Sequence, residues 1–96
     1  MIKTLEARGE LDSTLIIVTS DNGMAFPRAK ANVYEYGIHM PLAIRFPSVI
    51  PGDRVVDDVV SLTDLAPTIL EIANVEHPLA KGELNSMTGE SLVPML

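Results

Sequence analysis

The chain has no cysteine and no tryptophan, and aromatic residues make up only 4% of it. Without cysteine there are no disulfides and no thiolate metal sites, and cysteine usage gives no reading of the redox compartment. With so few aromatics, any core is built from aliphatic side chains. Basic residues are also scarce: seven Lys and Arg face thirteen Asp and Glu, for a formal charge of −6 and a pI of about 4.6. That balance argues against a nucleic-acid partner or an anionic membrane surface, both of which want basic patches. An anionic substrate would have to be met by local positive groups. No apolar run approaches the roughly 20 residues of a membrane-spanning helix, so membrane insertion is not expected. Apolar residues nevertheless make up 47% of the 96. This is a folding sequence of small-domain size, or a piece of something larger.

The stretch from Leu15 to Pro41 organises the rest. Leu15-Ile16-Ile17-Val18 is a continuous apolar run without alternation. Such a run predicts a strand covered on both faces, as in the parallel or mixed sheets of α/β proteins. Thr19-Ser20-Asp21-Asn22-Gly23 ends it, and ligands in open α/β sheets gather beyond the carboxyl ends of strands. A Pro27-containing loop with a lone Lys30 follows. A turn over 33–37 then leads into a second strand predicted over 38–46, with Pro41 at its start or on an edge.

Around this stretch, 1–8 reads as the last turns of a helix stopped by Gly9. Residues 47–53 are dense in turn formers, and 54–60 predict a short strand or extended segment around Asp57-Asp58. The strongest helix spans 61–75. Asp64 or Thr63 is expected to cap it, Pro67 sits in its first turn, and Leu65, Ile69, Ile72 and Ala73 form its apolar face; Asn74 ends it in left-handed geometry. Residues 76–96, with Pro78, Gly82, Gly89 and Pro94, read as irregular. No repeat or linker divides the chain, so 1–96 is expected to be one incomplete domain.

Asp21 and Asn22 are adjacent oxygen donors without a nearby His or Cys, which suits a hard cation such as Ca²⁺ or Mg²⁺. Two ligands fall short of the roughly six to eight oxygens that Ca²⁺ takes, and Asp-Asn-Gly is equally an ordinary turn. Lys30 is a compact cation able to hold an anionic oxygen, or simply a solvated lysine. His39, beside Pro41, reads by residue type as a packed or edge histidine. Asp57-Asp58 reads as a solvated acidic patch.

Together these residues resemble a known pattern. A strand, Ser-Asp-Asn-Gly, a loop lysine, Tyr-Glu-x-Gly-x-x-x-Pro and Ser-Leu-x-Asp-Leu-Ala-Pro-Thr-Ile-Leu follow one another as in the C-terminal part of the catalytic domain of type I sulfatases. These belong to the alkaline phosphatase-like superfamily. The loop Asn-Gly-Met-Ala-Phe-Pro-Arg-Ala-Lys is similar to that of the N-sulfoglucosamine sulfohydrolase (heparan N-sulfatase) branch. The resemblance implies an α/β three-layer sandwich with a mixed, mostly parallel sheet and flanking helices. It also implies hydrolysis of sulfate esters or sulfamates, on a carbohydrate. Asp21 and Asn22 match the family's late pair of Ca²⁺ ligands, with Mg²⁺ the lesser choice. Lys30 stands where the family lysine contacts the sulfate and the leaving-group oxygen, and 63–70 matches a helix with a packing role.

The family nucleophile is a formylglycine made within Cys/Ser-x-Pro-x-Arg, and neither that motif nor the early aspartate pair occurs in these 96 residues. The chain alone is therefore expected to be inactive, marginally stable or self-associating, with the remainder of the catalytic domain as its partner. Many relatives read Glu-Gly-Gly-x-Arg where this chain has Glu35-Tyr36-Gly37-Ile38-His39. His39 thus becomes the substrate-binding candidate in place of an arginine. A periplasmic, secreted or lysosome-like location follows from the resemblance and from no residue here. The competing readings are a metal-dependent phosphoryl-transfer enzyme of the same superfamily and a non-enzymatic interaction domain.

Overall fold

The computed structural model describes residues 1–76 and 87–96, in two compact units, Met1–Gly52 and Asp53–Leu96. Among the described residues no helix is long and apolar enough to cross a membrane.

In the first unit, helix α1 (Ile2–Ala7) ends as its sequence requires. Gly9 takes a φ of 68°, its N–H donates to the Glu6 carbonyl, and the Glu10 N–H reaches back to Leu5. This is how a left-handed residue satisfies the last carbonyls of a helix. Strand β1 (Ile16–Thr19) then pairs with β2 (Leu42–Arg45). The pairing is antiparallel, Ile16 opposite Arg45 and Thr19 opposite Leu42. The one ladder among the described residues therefore departs from the mostly parallel sheet expected. The connection explains why. Residues 20–41 leave and re-enter at the same end of the ladder, and their only helix, α2 (Glu35–Ile38), is a single turn. A parallel partner would need a crossover of a dozen residues or more along the sheet. Nor is β1 fully covered here: Ile16 is buried, but Val18, two residues on along the same face, is 60% exposed.

Pro41 immediately precedes β2, where its missing N–H costs no ladder bond. At the far end of the ladder, Arg45 donates to the Leu11 carbonyl at 2.7 Å and to the Asp12 carboxylate at 2.9 Å. The α1–β1 connection is thereby tied to the end of β2.

In the second unit, residues 54–60 form no strand, and Val59 is fully exposed. Asp53, at a φ of 59°, turns the chain there, and this unit has no strand among its described residues. The predicted helix divides into a 3₁₀ turn, Leu62–Asp64, and α3 (Leu65–Ile72). Its cap is Ser61 in place of Asp64 or Thr63. Ser61 Oγ accepts from the Thr63 N–H, while the Asp64 carboxylate accepts from the Ser61 N–H at 2.7 Å. This is the reciprocal capping box, with aspartate in the usual glutamate position. Asn74 closes the helix at a φ of 52°, as expected.

The buried stripe of α3 is rotated from the expected face: Ile69 is 44% exposed and Thr68 is fully buried. Thr68 Oγ1 donates to the Asp64 carbonyl at 2.5 Å and accepts from the buried Leu92 N–H at 2.9 Å. Pro67 cannot donate to the Thr63 carbonyl. Gly89 lies against that carbonyl so closely that a Cβ would be less than 3.0 Å away. Pro78 and Gly82, read as part of an irregular segment, lie outside the described residues.

Replacing Thr68 with valine keeps its shape but strands the Leu92 N–H. The expected loss is about 1–3 kcal/mol, the desolvation penalty of an unpaired buried group. Denaturant titration checks it, with Thr68→Ser as the variant that retains the bond. An unchanged Thr68→Val midpoint would show that the hydroxyl does not hold the C-terminal segment.

Candidate functional site

The candidate residues all lie on the excursion from the end of β1 to the start of β2. Glycines draw it into one structure. Gly23 is buried, with its Cα facing the Tyr36 carbonyl; a Cβ there would lie less than 3.0 Å from that oxygen. Gly37 packs in the same way on the carbonyls of Ala29 and Asn32. Ala29 is only 2% exposed. Backbone against backbone, the Asp21-Asn22-Gly23 turn is therefore fixed to Tyr36-Gly37, and Tyr36-Gly37 to the segment carrying Lys30. Only glycine permits both approaches, so the Tyr-Glu-x-Gly segment is the hub.

The Lys30 loop has no regular structure, yet its backbone is closely determined. The Lys30 N–H donates to the Met24 carbonyl at 3.1 Å, the Asn32 N–H to Ala29, and the Asn32 side-chain amide to the Lys30 carbonyl. The Arg28 guanidinium lies 5.9 Å from the centre of the Tyr34 ring, within cation–π range. Arg28 and Ala31 both adopt left-handed backbone, with φ of 64° and 60°. That conformation costs a residue with a Cβ on the order of 1 kcal/mol or more, and it persists where surroundings over-determine it. Such strain stands close on both sides of one lysine. No Gly or Asn at these two positions announces it in the sequence.

Asp21 and Lys30 are exposed and Asn22 is half-buried. Ser20 Oγ donates to the Asn22 carbonyl at 2.8 Å and shapes the turn. Among the described residues, the Asp21 carboxylate, the Asn22 side-chain amide and the Lys30 ammonium have no hydrogen-bond or ion-pair partner. The two side-chain oxygens are free to meet a hard cation, which fits the donor set that Ca²⁺ prefers. They provide part of a site: no group of three or more His, Cys, Asp or Glu that could hold a metal occurs among the described residues.

His39 caps the C-terminus of α2, and its Nδ1 lies 2.5 Å from Glu35 Oε1. A turn over 33–37, as the sequence predicts, would hide this pair; one helical turn brings residues four apart onto one face. Glu35, Tyr36, His39 and Pro41 line a depression of about 240 Å³. Asp57 and Asp58 are solvent-exposed, as a solvated acidic pair should be.

The sulfatase family model matches residues 1–75. The chain is 39% identical over its whole length to arylsulfatase K of Xenopus laevis and to human N-acetylglucosamine-6-sulfatase, covering 17% of each. It is 36% identical over its whole length to human N-sulphoglucosamine sulphohydrolase, covering 20% of it. It thus spans a fifth or less of the length of these curated relatives. The match takes in both strands, the Asp21–Lys30 excursion and α3, and on that basis the chain belongs to the sulfatase family.

Proposed function

We propose that this chain is the portion of a sulfatase catalytic domain that contributes Asp21, Asn22 and Lys30 to the active site. The whole enzyme then cleaves sulfate esters or sulfamates of a carbohydrate. One observation carries the reading: glycine-mediated backbone contacts bind the Asp21-Asn22 turn, the Tyr36-Gly37 hub and the strained Lys30 loop into one unit. The chemically able side chains are left without protein partners among the described residues. The relatives named for sugar sulfates support the substrate class.

On this reading Asp21 and Asn22 hold Ca²⁺ through their side-chain oxygens, with further ligands from elsewhere in the enzyme. When bound, the ion supplies Lewis-acid polarisation of the sulfate. Lys30 places an ammonium beside the sulfate and the leaving-group oxygen. As the sulfur–oxygen bond breaks, negative charge grows on that oxygen, and a fixed cation stabilises it more than it stabilises the ground state. The nucleophile, expected to be formylglycine, is not among these residues. The exposed Val18 end of β1 is then covered by the rest of the domain.

The test is hydrolysis by the full-length protein of glucosamine 6-sulfate and N-sulfoglucosamine, with a phosphate monoester as competitor chemistry. Sulfate release is expected, lost on chelation and restored by Ca²⁺. Phosphate release without sulfate release would transfer the chain to the phosphoryl-transfer branch of the superfamily. No release from any ester would leave only a binding role.

A further inference from the structure

We propose that Glu35 is a positioning residue for His39, and that the pair recognises a hydroxyl group of the carbohydrate beside the sulfate site. This rests on the sulfatase reading above. Glu35 and His39 sit one helical turn apart on α2, joined by a 2.5 Å contact between Oε1 and Nδ1. A carboxylate only accepts hydrogen bonds, so the Nδ1 of a neutral ring must carry the proton. Nε2 is then left with a lone pair, and it has no partner among the described residues. The carboxylate thus selects the tautomer in which His39 presents an acceptor.

The surroundings favour a sugar over a second sulfate contact. The Glu35 carboxylate repels an approaching anion, and in the neutral ring the lone-pair Nε2 has no proton to give to sulfate oxygens. A hydroxyl supplies the proton that Nε2 lacks. Tyr36 and Pro41 line the same depression and offer apolar surface to a sugar ring, with the polar pair fixing its orientation. Gly23 against the Tyr36 carbonyl ties this depression to the Asp21-Asn22 turn. A substrate held there therefore rests on the same backbone unit that carries the oxygens proposed for the metal.

The test uses the full-length enzyme with Glu35→Gln and His39→Gln, on glucosamine 6-sulfate and on 4-nitrophenyl sulfate, which has no sugar hydroxyls. His39→Gln is expected to raise KM for the sugar sulfate about 3- to 10-fold, the worth of one neutral hydrogen bond. KM for the aryl sulfate should not change, nor should melting temperature. Glu35→Gln should act in the same direction by a smaller factor. In ¹⁵N-histidine spectra at alkaline pH, the His39 signal, assigned by its loss in His39→Gln, should move from one tautomer to a mixture. Equal KM changes on both substrates would overturn the hydroxyl assignment, and an unmoved tautomer would overturn the positioning role. A wild-type enzyme without sulfate release would instead sink the sulfatase reading and the hydroxyl assignment with it. The ¹⁵N signature would still decide the Glu35–His39 pairing.

Discussion

Lys30→Ala in the full-length enzyme should cut kcat by about 10²–10³-fold while leaving the fold intact. On the role proposed for Lys30, the size follows from removing one cation that stabilises developing negative charge, worth roughly 3–4 kcal/mol of transition-state stabilisation. The intact fold follows from position. Lys30 is exposed, and the loop is held by its backbone, through the Lys30 N–H to Met24 and the buried Ala29, and not by the ammonium. An exposed side chain without partners should change stability by no more than about 0.5 kcal/mol. Lys30→Arg separates charge from shape. It keeps the cation but replaces a compact point charge with a planar fork, and it should restore only part of the rate. Steady-state kinetics and thermal unfolding on the same preparations decide the matter. If activity and folding fall together, Lys30 is structural and the assigned role is wrong.

Residue type alone leaves Asp21-Asn22-Gly23 an ordinary turn and Lys30 a solvated lysine; the resemblance of the ordered motifs to the sulfatase pattern is what makes Asp21, Asn22 and Lys30 candidates. How they are held is not legible there. The approaches of Gly23 and Gly37 to carbonyl oxygens are tertiary contacts, and glycine in a turn looks the same whether it faces solvent or another backbone. The left-handed Arg28 and Ala31 are illegible for a related reason. Their conformation is imposed by surroundings against local preference, whereas Gly9 and Asn74 follow preference and so are visible in the sequence.

Pairing is equally hidden. A four-residue apolar run establishes that β1 exists but carries no record of its neighbour, so strand direction can be inferred only from fold class. The antiparallel ladder reflects a chain that turns back at one end of the sheet. In α3 the misleading residue is a threonine, a type that ordinarily faces solvent. Thr68 is buried because its hydroxyl serves two backbone groups at once, the Asp64 carbonyl and the Leu92 N–H, and the second lies 24 residues away. Periodicity counts apolar side chains and misses such a position.

Gly37→Ala should be the most damaging single-methyl change in the excursion. Two effects oppose each other. Alanine favours a helical position over glycine by about 1 kcal/mol, and α2 is helical at residue 37. Against this, the added Cβ falls less than 3.0 Å from the carbonyl oxygens of both Asn32 and Ala29. Neither oxygen belongs to a flexible side chain, so the backbone itself must move. The Ala29 carbonyl also accepts from the Asn32 N–H at 3.1 Å, so relief would break that turn. Overpacking of this kind costs typically 1–3 kcal/mol, and more where backbone must shift, so the clash wins. The displaced segment carries Lys30, so activity should fall beyond what lost stability explains. Gly52→Ala is the internal control. A Cβ there meets nothing within 4 Å, and its φ needs no glycine, so stability should hold or rise by up to about 1 kcal/mol. Denaturation midpoints of the two variants, with kcat measured well below their melting temperatures, decide the point. If Gly37→Ala is as stable and active as Gly52→Ala, the backbone contacts do not hold the Lys30 loop. The lysine's placement would then need another cause.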